Sequence, residues 1–191
     1  MAVRVTTDST VEAVTTREAR DWLRIDTENE DPTLAALVKA ARQYVEEFTG
    51  RALTTKTVTL TLDRFENEIL LPFPPAIAIT AITYVDENGA TQTLAASVYQ
   101  LDATAEPARL TRAYSQDWPS LRSQNAAVSI AYTAGYGANA ASVPQGLKQA
   151  ILFLVAHWYE HREAVQAGGA LQTVPLAVES LLWSFRVPEV G

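Results

Sequence analysis

The chain contains no cysteine. Disulfide cross-links and thiolate metal sites are therefore excluded, and packing has to hold the fold together. It also lacks a long hydrophobic run. The apolar stretch from Ala150 to Ala156 falls far short of the roughly 20 residues that cross a bilayer, so no membrane association is expected. The first residues, Met1-Ala2-Val3-Arg4-Val5-Thr6, have no hydrophobic signal core, and synthesis in the cytoplasm is the default expectation. Positive charge is scarce as well. Fifteen Lys and Arg face 22 Asp and Glu, a formal net charge of −7. A protein that wraps nucleic acid needs clustered cations, and this composition argues against one. An acidic surface instead repels phosphate.

What is present suffices for a real core. Of 191 residues, 48% are hydrophobic, and the length suits one domain over 1–191. Thr15-Thr16-Arg17-Glu18 is a capping box that opens a short first helix, with Ala19, Trp22 and Leu23 as its apolar side. An acidic run, Asp26 to Asp31, follows as a solvated loop. Its carboxylates lack the alternating ligands and closing glutamate of a calcium loop. Asp31 as N-cap and Pro32 as first helical residue start a second helix. Leu34, Leu37, Val38, Ala41, Tyr44, Val45 and Phe48 form its apolar stripe, and Gly50 ends it. Lys39, Arg42, Glu46 and Glu47 are expected on the solvent side.

After Gly50 the period becomes two. Val58, Leu60 and Leu62 alternate with Thr57, Thr59 and Thr61, as in a half-buried strand. Further strands are expected at Ile69–Leu71, Ile77–Val85, Thr91–Leu94, Val98–Leu101, Arg109–Thr111 and Ala127–Thr133, with Asn88-Gly89 as a hairpin turn. A long helix then starts at Pro144. Leu147, Ile151, Leu154 and Trp158 line one face, and Leu152, Phe153, Val155 and Ala156 fill the other. A helix apolar all round is buried all round, and a neighbouring subunit is expected to supply part of the cover. The fold class expected is α+β, a bundle of three to four helices with an antiparallel β-strand insertion between the second and third. Its parts are N-terminal helices over 14–50, a β-rich insertion over 54–134, a long buried helix over 143–166, and a C-terminal helix and tail over 171–191.

This order of motifs resembles a known family over nearly the whole chain. The motifs are Thr16-Arg17-Glu18-Ala19 with Trp22-Leu23-Arg24-Ile25, the second-helix run Leu34 to Glu46, Thr49-Gly50-Arg51-Ala52-Leu53, Tyr84-Val85-Asp86 before Asn88-Gly89, Tyr132-Thr133-Ala134-Gly135-Tyr136 and, most of all, His157-Trp158-Tyr159-Glu160-His161-Arg162-Glu163. Together they resemble the head–tail connector proteins of tailed bacteriophages, also called adaptor or head-completion proteins, with relatives in prophages and gene transfer agents. The resemblance implies a structural protein with no enzymatic activity and no cofactor. It implies a twelve-fold homo-oligomeric ring beneath the portal protein, contact with the next tail-completion (stopper) protein, and a place at the head–tail junction of a virion or phage-like particle. DNA would pass through the ring without specific binding, for which an acidic lumen is suited. The C-terminal segment would engage the portal, with Trp183, Phe185 and Val187 as anchors; aromatic residues are favoured hot spots at interfaces. Arg17, Arg20 and Arg24 recur at three- and four-residue spacing on the first helix and are further interface candidates.

Other motifs point elsewhere. His157-x-x-Glu160-His161 matches the H-x-x-E-H pattern of inverzincin proteases, with Glu160 as general base. A small zinc-dependent hydrolase is the alternative this raises. It needs a third ligand, and after His161 only Glu163, Glu179 and Glu189 carry carboxylates. No catalytic or metal-ligating residue is therefore assigned. Gly135-Tyr136-Gly137 lacks the Gly-Lys-Ser/Thr of a phosphate loop and is a strand exit. Trp118 is expected to cover the strand layer. A monomeric protein-binding adaptor domain is the remaining reading.

Overall fold

In the computed structural model, which describes residues 1–161 and 176–188, the chain runs β1 (Ala2–Thr7), α1 (Thr16–Leu23), α2 (Asp31–Thr49), β2 (Lys56–Leu62), β3 (Glu68–Leu71), β4 (Ala76–Val85), β5 (Thr91–Thr93), β6 (Tyr99–Asp102), β7 (Ala108–Arg112), β8 (Val128–Ala134), α3 (Gln145–Glu160) and α4 (Leu176–Trp183). It divides into two compact units. One is Met1–Ser9 with Thr55–Tyr136, the other Thr10–Thr54 with Gly137–Gly191.

The strand unit holds two antiparallel sheets, one ordered β1-β2-β8-β4-β5 and the other β3-β7-β6. Alternation explains its core. Val58, Leu60 and Leu62 of β2 are buried while the intervening threonines are half-buried. In register beside them lie Tyr132, Ile130 and Val128 of β8, also buried. Ile69 and Leu71 of β3 and Ala108 and Leu110 of β7 are the buried positions of the smaller sheet. The Tyr132 hydroxyl donates to the Pro72 carbonyl just past β3 at 2.5 Å, tying one sheet to the other. Burial of this phenol pushes its pKa up. The β4–β5 hairpin turns at Gly89, whose φ of +85° suits glycine. Asp86 Oδ1 accepts from the Asn88 and Ala90 N–H groups there. Trp118 lies against the loop between β2 and β3. It stacks on Phe65 at 4.5 Å and donates through its indole N–H to Glu66 O.

This architecture overturns the expected helical bundle with a strand insertion. The described residues form four helices and eight strands in two antiparallel sheets, and the strand unit has a core of its own. The physical reason is that both sheets bury alternating apolar positions, so the strands carry a core and are not an appendage to the helices. Nor is the strand region simply inserted between helices, because β1 pairs with β2 from the N-terminal side, Val3 opposite Leu60 and Val5 opposite Val58.

In the helical unit, Leu34, Val38, Ala41 and Val45 of α2 meet Leu147, Ile151, Leu154 and Val155 of α3 as the buried set, joined by Ala19 of α1 and Val178 and Leu182 of α4. The Thr15/Glu18 capping box is formed. Glu18 also accepts from Lys148 Nζ at 2.9 Å, fastening α1 to α3. Burial opposes ionisation of Glu18, but hydrogen bonds from Thr15 and Lys148 and the lysine charge outweigh it, and its pKa is lowered. Two helix starts lie one residue from expectation. Glu30 caps α2, with Asp31 already helical, and Pro144 caps α3 rather than opening it. The larger difference concerns charge. Arg42 is 1% exposed and Glu46 is buried, although both were expected in solvent. Arg42 Nε donates to Glu12 Oε2 and its Nη1 to Glu46 Oε2, each at 2.7 Å. The other Glu46 oxygen accepts the Leu53 N–H at 2.9 Å. A carboxylate and a guanidinium are cheap to bury only when paired like this.

Candidate functional site

Of the C-terminal candidates, Trp183 ends an aromatic row of the helical unit. Trp158 meets Tyr44 edge to face at 6.3 Å, Tyr44 stacks near Phe48, and Phe48 meets Trp183 at 5.9 Å. The Arg186 guanidinium lies 4.8 Å from the Trp183 ring centroid, a cation–π distance. Burial, then the charges of Glu179 and Glu47, raise the Tyr44 pKa. Spacing explains the row. Tyr44 and Phe48 are four apart on α2 and so share a helical face.

The three anchor candidates are separated by their partners. Trp183 is 58% exposed and ends the row at the surface, beside a depression bounded by Arg186, Val187 and Pro188. Phe185 packs on α3 at Gly146, where a Cβ would lie 2.9 Å from its ring. The Phe185 carbonyl accepts from Arg51 Nε at 2.5 Å. The Val187 N–H donates to Thr49 O at 2.9 Å, and its side chain lies beside Gly50. Phe185 and Val187 thus hold the tail to α2 and α3, while Trp183 faces outward. Gly146→Val should push the Phe185 ring off α3 and cost the helical unit about 1–3 kcal/mol, as overpacking does. A thermal melt checks this, and an unchanged midpoint would refute the docking role of Gly146. Leu171, Pro175 and the other residues of 162–175 and 189–191, including Arg162, Glu163 and Glu189, lie outside the described residues.

The arginine candidates also divide. Arg17 is 82% exposed and only 3.9 Å from Asp21. Arg24 is exposed at the left-handed end of α1. Arg20 is largely buried and occupied, at 3.2 Å from Glu28 and 3.3 Å from Asp31. It staples the acidic loop to α1. Near α1, α3 keeps an uncovered side. Phe153 is 39% exposed and meets Trp22, 44% exposed, edge to face at 5.9 Å.

His157 and His161 do share a helical side, with ring centroids 4.9 Å apart. Among the described residues no group of three or more His, Asp or Glu could hold a metal ion. Glu179 lies near Tyr44, whose pKa it raises. No described helix is long and apolar enough to cross a membrane.

The outward aromatic and cationic side chains suit contact with another protein surface. The chain belongs to the head completion protein family, whose model matches residues 12–181. It is a structural protein and not an enzyme. Three solved structures are similar over 100% of this chain and 97% of theirs. They are a chain in the neck of an empty gene transfer agent particle computed with C6 symmetry (29% identity, TM-score 0.80), one in the virion of a native gene transfer agent particle (29%, 0.76), and one in the neck of a native particle computed with C12 symmetry (27%, 0.74). No curated protein matches the sequence.

Sequence reasoning missed two parts of these surfaces. The Arg42 triad is not legible locally, because a charged residue on a helix reads as solvent-facing until its partners are known. The Phe185 seat could have been suspected from Gly146, a glycine in the first turn of a helix, where close approach of another side chain is the usual reason.

Proposed function

We propose that this protein is a head–tail connector. Copies assemble into a ring beneath the portal of a phage-like capsid, join the head to the next tail-completion component, and let DNA pass through the centre without specific binding. The observation that carries this reading is the full-length similarity to chains in particle necks computed with C6 and C12 symmetry. Repetition about an axis supports a ring, and C12 supports twelve copies. Neighbours in such a ring touch through two different faces, a heterologous contact. The helices α2 and α3 act as scaffold, with Trp22 and Phe153 left for a neighbour to cover. The protein is made in the bacterial host cytoplasm and works at the head–tail junction, where an acidic lumen repels the DNA backbone.

Trp183 is the portal-facing anchor in this account. Trp183→Ala should weaken capture of the cognate portal by tenfold or more, in the range of an interface hot spot of about 2 kcal/mol, and leave the melting midpoint nearly unchanged. Phe185→Ala should instead lower the midpoint. Surface-immobilised portal with calorimetry on each variant separates the two. Equal loss of portal binding without loss of stability in both would contradict the division of roles. Arg17 and Arg24 are proposed as outward ion-pair donors, and Arg20 as internal. The reading as a whole is tested by deleting the gene in the source. DNA-filled heads without tails are expected, and complete tailed particles would refute it.

A further inference from the structure

Several described arginines have carboxylate partners. Arg20 has Glu28 and Asp31, Arg42 has Glu12 and Glu46, Arg109 has Glu68, and Arg112 has Asp117. Arg64 and Arg122 are among those without one. Both are exposed, and among the described residues neither guanidinium makes an ion pair or hydrogen bond. Yet they line the same open cleft of the strand unit, about 490 Å³ in volume, with Ser123, Gln124, Asn125 and Asp63.

The cleft is built rather than accidental. The Arg122 N–H donates to Val85 O at 3.1 Å, which pins the loop to the end of β4. At its other end the Ala126 N–H donates to Asp63 Oδ1 at 2.7 Å, with Ala126 held at a φ of +56° that non-glycine residues seldom adopt. The Arg122 side chain lies over the β4–β5 turn. A Cβ on Gly89 would come within 2.3 Å of Nη1, so the guanidinium rests directly against the turn. Asp63, the one carboxylate in the cleft, is engaged by that backbone N–H. Two guanidiniums against that one carboxylate leave the cleft net cationic, beside three neutral polar side chains, which suits an oxyanion. Planar guanidinium forks match carboxylates and phosphates in pairs.

We infer that the Arg64–Arg122 cleft receives carboxylate side chains of a second copy of this chain, as the electrostatic part of the contact between ring neighbours. Charge supports this occupant. Each copy carries 22 acidic against 15 basic residues, so every neighbour offers surplus carboxylates and like-charged copies need a cationic seat to adhere. A nucleic-acid backbone is the weaker fit, because tracking phosphates takes a tract of cations, and two arginines in one cleft do not form a tract. The inference rests on the ring reading above.

The test compares the wild-type chain with Arg64→Ala/Arg122→Ala and Arg64→Lys/Arg122→Lys, each alone and with the cognate portal, by native mass and analytical ultracentrifugation across salt. All three should melt alike, since both side chains are exposed. Wild-type subunits should associate, less so as salt rises. The alanine pair should weaken association by about tenfold or more and flatten its salt dependence, and the lysine pair should restore part of it. Unchanged association of the alanine pair, with wild-type rings formed, overturns the inference and leaves the ring reading standing. No ring from the wild-type chain with portal overturns both. Loss of short duplex DNA retention at low salt, with rings intact, overturns the carboxylate assignment in favour of phosphate.

Discussion

Arg42→Ala is expected to destabilise the helical unit by about 3–5 kcal/mol, because it strands a carboxylate in the interior. Glu46 would lose its 2.7 Å partner while its other oxygen stays committed to the Leu53 N–H. Glu12 is 29% exposed and can rehydrate, so the loss concentrates on Glu46. The double variant Arg42→Met/Glu46→Gln should recover most of the deficit. Glutamine still accepts from Leu53, and methionine fills the volume left by the arginine stem without a charge. Urea unfolding of the three proteins measures this. A loss below about 1 kcal/mol for Arg42→Ala would mean that water reaches Glu46, contrary to its burial.

Alkaline pH should unfold the strand unit through Tyr132. Its pKa is raised above the ordinary value of 10.0 by burial, so the folded state keeps the proton where the unfolded state releases it. The sign follows. Stability from this group is complete below pH 10 and falls as pH rises above it, by about 1.4 kcal/mol per pH unit until the folded-state value is reached. Tyr132→Phe removes that dependence. At neutral pH the variant should be about 1 kcal/mol less stable, having lost the hydrogen bond to Pro72 O. Above pH 10 the difference should shrink and then reverse. Parallel curves for the two proteins from pH 7 to 11 would show that Tyr132 ionises without unfolding.

Local chemistry carried the elements well, and long-range chemistry carried the architecture poorly. The Thr15/Glu18 box, the Leu34–Val45 stripe, the β2 alternation and the Asn88-Gly89 turn each state their structure within a few residues, and each formed. β1 was missed because Val3 and Val5 acquire meaning only opposite Leu60 and Val58, far along the chain. The same non-locality hid the second core. The strands look like an insertion until both sheets are seen to bury alternating positions of their own. Charge misled at Arg42 and Glu46, since a charged residue reads as exposed until its partners are known. Of the interface candidates, Trp183, Arg17 and Arg24 are outward, while Phe185, Val187 and Arg20 have partners within the helical unit. Composition alone marks an aromatic or an arginine, and only packing shows whether its seat is already taken.

The most direct test of the connector reading is native mass with negative-stain imaging of the purified chain, alone and mixed with its cognate portal. The account predicts a ring that caps the portal, with twelve copies of this chain in register about the axis. A monomer in both samples, with no portal complex, would contradict it.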